Sequence, residues 1–251
     1  MMKKTLVILL LFIANFANAQ NANVLFADAN MLYKEGKYTE AIEKYNQIIA
    51  EGNVSSELYY NLGNCYYKLN KVAPTIYNYE KALQLNPLNE DAQNNLIFAK
   101  RLTLDRIEAL PKSIFQKINE NFLQKFTYNS WAIFSILFSV LASVLFLLFY
   151  FSYSPNQKRL YFTTSIISFI LLAITLVITF NQYDQEKNNI QAIVFPEQIE
   201  IKNAPTKNSD DVFTLHEGTK VKVLDTVDNW KKIKLADGKI GWTLAANLKE
   251  F

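Results

Sequence analysis

Two long apolar segments constrain this chain more than any other feature. Residues 131–151 and 160–180 contain no Asp, Glu, Lys or Arg. As α-helices, segments of this length measure about 31 Å, which is enough to cross the hydrocarbon core of a bilayer. Two buried core helices would instead need a large soluble domain around them, which the rest of the chain does not provide. The sequence therefore predicts two transmembrane helices, over 131–151 and 160–180.

The ends of these segments predict a topology. The short connection between them carries Lys158 and Arg159, and short basic loops stay in the cytoplasm. Residues 1–19 have the pattern of a secretory signal peptide, with Lys3 and Lys4 before an apolar centre and Ala17-Asn18-Ala19 as a cleavage motif. An uncleaved anchor is the alternative. Both arguments predict a multi-pass protein of the bacterial inner membrane, with its N- and C-terminal domains in the periplasm.

The apolar segments hold small hydroxyl residues and no ionisable group, which argues against an ion or proton path. Ser135, Ser139 and Ser143 recur every four residues and would share one helix face. Such hydroxyls can bond across a helix pair or to their own backbone one turn earlier. The spacing leaves both alternatives open, and the segments are interpreted as an anchor.

Composition excludes several classes of function. The single Cys65 and the single His216 leave no Cys-ligated zinc site and no histidine cluster. No nucleophile–base pair and no glycine-rich phosphate loop occurs, so we expect no catalytic residue, cofactor or metal, and His216 to be structural. The net charge of +3 is not concentrated in a basic segment, which argues against nucleic-acid binding.

A period of 34 residues precedes the membrane segments. Ala29, Tyr33 and Tyr45 recur as residues of similar size at positions 63, 67 and 79. Residues 20–108 resemble tetratricopeptide (TPR) repeats, whose period is the same. The resemblance is specific at the positions Gly36, Tyr38, Ala41, Tyr45, Leu62, Gly63, Tyr66, Ala82 and Pro87. It implies an all-α solenoid with helices near 22–35, 38–51, 55–69 and 74–85, and residues 90–108 as the first helix of an unfinished third unit.

The TPR resemblance also implies a concave face that binds peptides or proteins. Carried over position by position, this face comprises Phe26, Asn30, Tyr33, Lys34, Tyr60, Asn61, Asn64, Tyr67 and Lys68, and then Asn94 and Phe98. Its asparagines and lysines would hold a peptide backbone or a carboxylate. Several of its tyrosines would, in the alternative interpretation, only fill gaps between helices.

An amphipathic connector, residues 109–127, joins the repeats to the first apolar segment. Its apolar residues follow helical spacing on one side, with lysines on the other. The connector is predicted either to cap the repeats or to lie in the membrane interface.

The last part of the chain, residues 190–251, changes to a period of two. Residues 198–202 and 219–224 alternate apolar with polar side chains, and Ala236-Asp237-Gly238-Lys239 predicts a hairpin turn. Leu215-His216-Glu217-Gly218-Thr219 and Gly241-Trp242 resemble bacterial SH3 domains. An all-β SH3-like barrel is therefore expected, with Trp230 and Trp242 as candidate ligand contacts or, alternatively, as residues that close its ends.

The order of signal peptide, TPR repeats, two apolar helices and SH3-like domain resembles BatE-type proteins of aerotolerance operons. The resemblance implies a multi-domain membrane protein: a TPR solenoid, a two-helix transmembrane hairpin and a C-terminal barrel. It further implies a non-enzymatic envelope scaffold that works with von Willebrand A-domain membrane proteins and a cytoplasmic MoxR-type ATPase. The alternative is a sensor whose SH3-like domain binds peptidoglycan peptides of the cell wall.

Overall fold

A computed structural model describes residues 22–251 of the chain. The predicted signal peptide, residues 1–19, lies outside these residues. The described chain forms two compact units. One unit contains the N-terminal helices together with the C-terminal sheet, and the other consists mainly of residues 110–190.

Five helices form the N-terminal part, and they confirm the TPR-like helical expectation. They are α1 (residues 22–34), α2 (Tyr38–Ala50), α3 (Ser56–Lys68), α4 (Val72–Leu85) and α5 (Glu90–Lys100). Ser55 caps α3 by accepting a hydrogen bond from the backbone N–H of Leu58 at 3.1 Å. Small buried residues let the helices approach closely, since a Cβ on Gly63 would lie 2.7 Å from the ring of Tyr79.

The helix expected over residues 90–108 is too long. Helix α5 ends at Lys100 and is followed by a turn at residues 101–102, and residues 103–113 have no helical structure. Within this segment the Asp105 carboxylate accepts hydrogen bonds from His216 and Thr219, and Ile107 packs against the core of the sheet. These contacts with the sheet favour an extended segment over continuation of the helix.

Seven antiparallel strands form the C-terminal sheet. They are β1 (Gln191–Val194), β2 (Gln198–Lys202), β3 (Asp211–His216), β4 (Lys220–Val227), β5 (Trp230–Lys234), β6 (Ile240–Leu244) and β7 (Leu248–Glu250), in the order β3-β2-β6-β5-β4-β1-β7. The expected barrel is not closed, because β7 is three residues long and pairs only with β1. Residues from β1 to β5 nevertheless share a single apolar core.

The second unit contains two long apolar helices. They are α7 (Tyr128–Phe151) and α8 (Pro155–Asn188), preceded by α6 (Ile114–Asn121) and a 3₁₀ turn. Their most apolar windows have mean hydropathies of 2.7 and 2.3, so both are long and apolar enough to cross a membrane by length and composition. Helix α8 extends beyond the predicted segment 160–180 at both ends, with polar residues in its added turns.

Helices α7 and α8 pack antiparallel, and their contacts resolve the role of the small hydroxyls. Ser135 donates to the carbonyl of Trp131 within its own helix, at 3.0 Å. The bond across the pair comes from Ser165, whose Oγ donates to the carbonyl of Ala142 at 3.1 Å. Most of these hydroxyls therefore donate to a backbone carbonyl of their own helix. Close approach of the helices rests mainly on the small size of these side chains.

The amphipathic connector forms only a short helix. Ser113 and Gln116 make a capping box at the start of α6, where each side chain accepts a hydrogen bond from the other's backbone N–H. The apolar side chains of Ile114, Phe115 and Phe122 are exposed. Within the first unit the sheet covers the last helices of the array, since Ile193, Phe195 and other residues of the C-terminal part join the apolar cluster of α4 and α5.

Candidate binding site

A groove on the helical array holds part of the predicted concave face. It has a volume of about 230 Å³ and is lined by Tyr33, Tyr60, Asn64, Tyr67, Lys68, Tyr79, Asn95 and Phe98. All of these except Tyr79 and Asn95 belong to the predicted set, which makes six. Tyr67 and Phe98 are 38% and 52% exposed, so aromatic surface is available to a ligand.

The other predicted residues lie outside the lining of this groove. Asn30 and Asn61 are hydrogen-bonded to each other, with the Asn61 amide donating to the Asn30 oxygen at 2.9 Å. Phe26 packs edge-on against the ring of Tyr45 at 5.8 Å between centroids. Lys34 is exposed.

Two hydrogen bonds orient the side chain of Asn64 in the groove. The Tyr79 hydroxyl donates to the Oδ1 atom of Asn64 at 2.7 Å, and the Asn95 amide donates to the same oxygen at 3.0 Å. Burial raises the pKa of Tyr79, so its hydroxyl keeps the proton that it donates. The side-chain oxygen of Asn64 therefore accepts hydrogen bonds from two donors.

An equivalent pair of hydrogen bonds occurs one repeat earlier. The Tyr45 hydroxyl donates to the Oδ1 atom of Asn30 at 2.6 Å, beside the bond from Asn61. Whereas the predicted face had Asn94, the asparagine of the third unit in the groove is the neighbouring Asn95. Its distance of 34 residues from Asn61 was the signal that could have found it.

Cys65 is inert in its environment. The side chain is completely buried in the apolar cluster of α1, α2 and α3. Burial raises the pKa of its thiol to about 12, so the reactive thiolate is not populated at neutral pH.

A second groove lies on the sheet and contains one of the two predicted tryptophans. It has a volume of about 510 Å³, and Trp230 lines it together with residues such as Glu200, Lys202 and Lys207. Trp242 is not in its lining. The Trp242 ring instead lies near the Lys232 ammonium group, 5.8 Å from the ring centroid.

The sheet is joined to the helical array by partly buried polar contacts. Asp105 accepts hydrogen bonds from the backbone N–H of His216 at 2.7 Å and from the Thr219 hydroxyl at 2.5 Å, and its other oxygen lies 2.8 Å from the His216 ring. Burial alone would raise the pKa of Asp105, but these hydrogen bonds hold it below its ordinary value.

A buried carboxylate forms a second polar contact of the joint. Glu80 of α4 lies 2.7 Å from the Lys220 ammonium nitrogen and 2.9 Å from that of Lys100. Desolvation opposes ionisation of Glu80, but the two lysines outweigh it and lower the pKa. Helix and sheet thus share one ion cluster.

Aromatic rings complete the joint. Tyr77 of α4 meets Phe195 and Phe251 edge-on, at 5.9 Å and 6.0 Å between centroids. The Lys249 ammonium group lies 4.2 Å from the centroid of the Tyr77 ring. The two modules therefore form one compact unit through polar and apolar contacts.

Comparisons with known proteins agree with both modules. Residues 56–89 match the model of the tetratricopeptide repeat, and residues 198–249 match that of the bacterial SH3 domain. No curated protein sequence shows significant similarity to the chain. A solved structure described as the first TPR of Spaghetti (RPAP3) bound to HSP90 peptide SRMEEVD is 23% identical, covering 33% of this chain and 92% of that one, with a TM-score of 0.23. The two family matches support a protein-binding scaffold.

Proposed function

We propose that this chain is a non-enzymatic scaffold of the bacterial envelope, anchored in the inner membrane by α7 and α8. In this proposal the helical array and the sheet both lie in the periplasm. The length and hydropathy of the two helices and the basic loop between them support the anchor. The observation that carries the binding role is the open aromatic groove on the TPR-like array.

The finer assignment is a scaffold of the aerotolerance-operon type. Its partners would be von Willebrand A-domain membrane proteins, with a MoxR-type ATPase on the cytoplasmic side. The order of the modules along the chain supports this assignment. Because the two modules share one joint, a partner in the groove would be held at a fixed position relative to the sheet.

Partner capture tests the groove. Replacing Tyr67 and Phe98 together by Ala is expected to reduce crosslinked partner recovered from membranes by at least tenfold, because both rings offer exposed contact surface. Asn64 should be left unchanged, since its Oδ1 atom accepts the hydrogen bond from the Tyr79 hydroxyl. Undiminished recovery, with the variant at the wild-type level in the membrane, would show that partners bind elsewhere.

Protease accessibility tests the topology. In intact spheroplasts, added protease is expected to cleave both the helical array and the sheet, while a tag inserted beside Lys158 stays protected until the membrane is opened. Protection of either module, alongside cleavage of a known periplasmic control, would contradict the arrangement.

The groove on the sheet supports a second candidate function, binding of a cell-wall peptide. Its volume of about 510 Å³ and its half-buried Trp230 suit a short peptide. Retention of the full chain on purified cell wall should then fall strongly in Trp230→Ala and remain in Trp242→Ala. Equal retention of both variants would contradict this function.

A further inference from the structure

We propose that one face of the C-terminal sheet docks on anionic phospholipids at the membrane surface. This face, which we call the lysine face, consists of Lys222, Leu224, Lys232, Lys234, Ile240 and Trp242. The inference rests on the proposed anchoring of the chain by α8 and adds a second membrane contact to it. Three observations carry it: lysines that face each other, exposed apolar side chains beside them, and a short connection to α8.

Strand register brings the lysines together on the side of the sheet opposite its core. Lys222 of β4 pairs in register with Lys234 of β5, and Lys232 lies two residues before Lys234 on the same side. The neighbouring register pair, Val223 and Ile233, points into the apolar core instead. The Cβ atoms of directly paired residues are about 5 Å apart, so Lys222 and Lys234 place two positive charges side by side.

The two facing lysines lack an ionic partner in the described part of the chain, residues 22–251. Both are exposed, and neither forms an ion pair there. On the same two strands Asp225 lies opposite Lys232, and acidic residues further across the sheet pair with Lys202. Like charges directly opposite each other are unfavourable in a sheet, so an anion placed between Lys222 and Lys234 would be stabilised.

Apolar side chains beside the lysines favour a membrane over a soluble polyanion. Leu224 and Ile240 are 42% and 44% exposed, and Ile240 lies opposite Lys234 in register. Trp242 lies opposite Lys232. Lysine, tryptophan and aliphatic side chains together suit the membrane interface, where cations meet lipid phosphates and apolar groups reach the acyl boundary. A soluble polyanion would leave Leu224 and Ile240 in water.

The chain enters the sheet beside the lysine face. Only residues 189 and 190 separate the end of α8 from β1. Gln191, the first residue of β1, pairs in register with Lys222. In a chain anchored by α8, this short connection keeps the lysine face within reach of the bilayer surface. Anionic lipids attract cationic segments near a membrane, so they are the occupant that charge and connectivity both favour.

A fluorescent label on the lysine face tests docking in the full chain. Ile240→Cys is labelled with the polarity-sensitive dye NBD, since Cys65 is buried, and the chain is reconstituted into nanodiscs. Discs with about one third phosphatidylglycerol are expected to shift the emission to the blue and to raise its intensity about twofold over discs of phosphatidylcholine alone. The same label at Asn208→Cys, in the exposed turn between β2 and β3, should respond equally to both discs.

Charge variants locate the response on the lysine face. Near an anionic membrane each lysine contributes a factor of about five, so Lys222→Gln with Lys234→Gln should lower the ratio of docked to free sheet about thirtyfold and remove the blue shift. Their loss should not lower the unfolding temperature, because the two charges repel each other. Lys44→Gln with Lys71→Gln removes the same charge from the helical array and should leave docking unchanged. Raising salt from about 50 mM to about 500 mM should weaken wild-type docking, because ions screen exposed charges.

The outcomes separate docking from the anchor. Equal emission in the two kinds of disc, a wild-type shift without the facing lysines, or an equal loss in the control variant would overturn the docking. The anchor would still stand if the chain remains in the discs. An equal blue shift when inorganic polyphosphate is added to neutral discs would show that the face binds soluble polyanions, and would also overturn it. A chain that enters neither kind of disc would contradict the anchor and, with it, the docking.

Discussion

Replacing Gly218 by Ala is expected to lower the free energy of unfolding by about 2–4 kcal/mol and to loosen the sheet from the helices. Gly218 has a φ of 82°, a conformation that other residues adopt only with strain. A Cβ at this position would also lie 2.9 Å from side-chain atoms of Ile76 and Thr103 and 3.0 Å from Val72. Strain and steric overlap therefore act together at the joint.

Gly52→Ala is the matched control. Gly52 has the same φ of 82°, but no atom lies within 4 Å of the place where its Cβ would be. Gly52→Ala should lower the free energy of unfolding only by the cost of the backbone strain, about 1 kcal/mol. Urea unfolding gives both free energies, and hydrogen exchange of α4 should rise in Gly218→Ala alone. Equal losses in the two variants would show that Gly218 is not needed for close packing.

The second large effect is expected for Lys220→Met. Breaking a buried ion pair from one side usually costs about 3–5 kcal/mol, and the loss here should be about 2–3 kcal/mol, because the Lys220 side chain is 33% exposed and Lys100 still faces Glu80. Lys222→Met is the matched control on the same strand. Lys222 is exposed and lies across from Lys234, so its replacement should change stability little.

The pH dependence of stability gives this prediction a second measurement. The pKa of Glu80 is lowered in the folded chain, so its ion cluster stabilises the fold above the unfolded pKa of about 4.5 and is lost as pH falls through the lower folded value. Lys220 is the largest cause that lowers this pKa. In Lys220→Met the acid loss should therefore begin at higher pH than in wild type. An unchanged acid midpoint would show that Lys220 does not stabilise the ionised Glu80.

Local patterns were enough to predict the elements and much of the groove. The 34-residue period located the helical repeats and six groove residues, because the repeat places equivalent positions on equivalent faces. The period of two located β2 and most of β4. Both signals depend only on neighbours along the chain.

The joint could not be predicted in this way. Asp105 and His216 are 111 residues apart, and neither lies in a pattern that names the other. No local pattern singles out Glu80, yet it is buried and its carboxylate lies 2.7 Å from the Lys220 ammonium nitrogen of the sheet. The end of α5 was misplaced for the same reason, since partners on the sheet decide where that helix stops.

The position of the sheet against α4 and α5 limits how such a chain can lengthen. A further helical repeat would have to stack on the surface that Ile193 and Phe195 already cover. Duplicated repeats can therefore be accommodated ahead of α3, where they would extend the groove and leave the ion cluster at Glu80 undisturbed. Natural variation in repeat number should accordingly fall at the N-terminal side of the array.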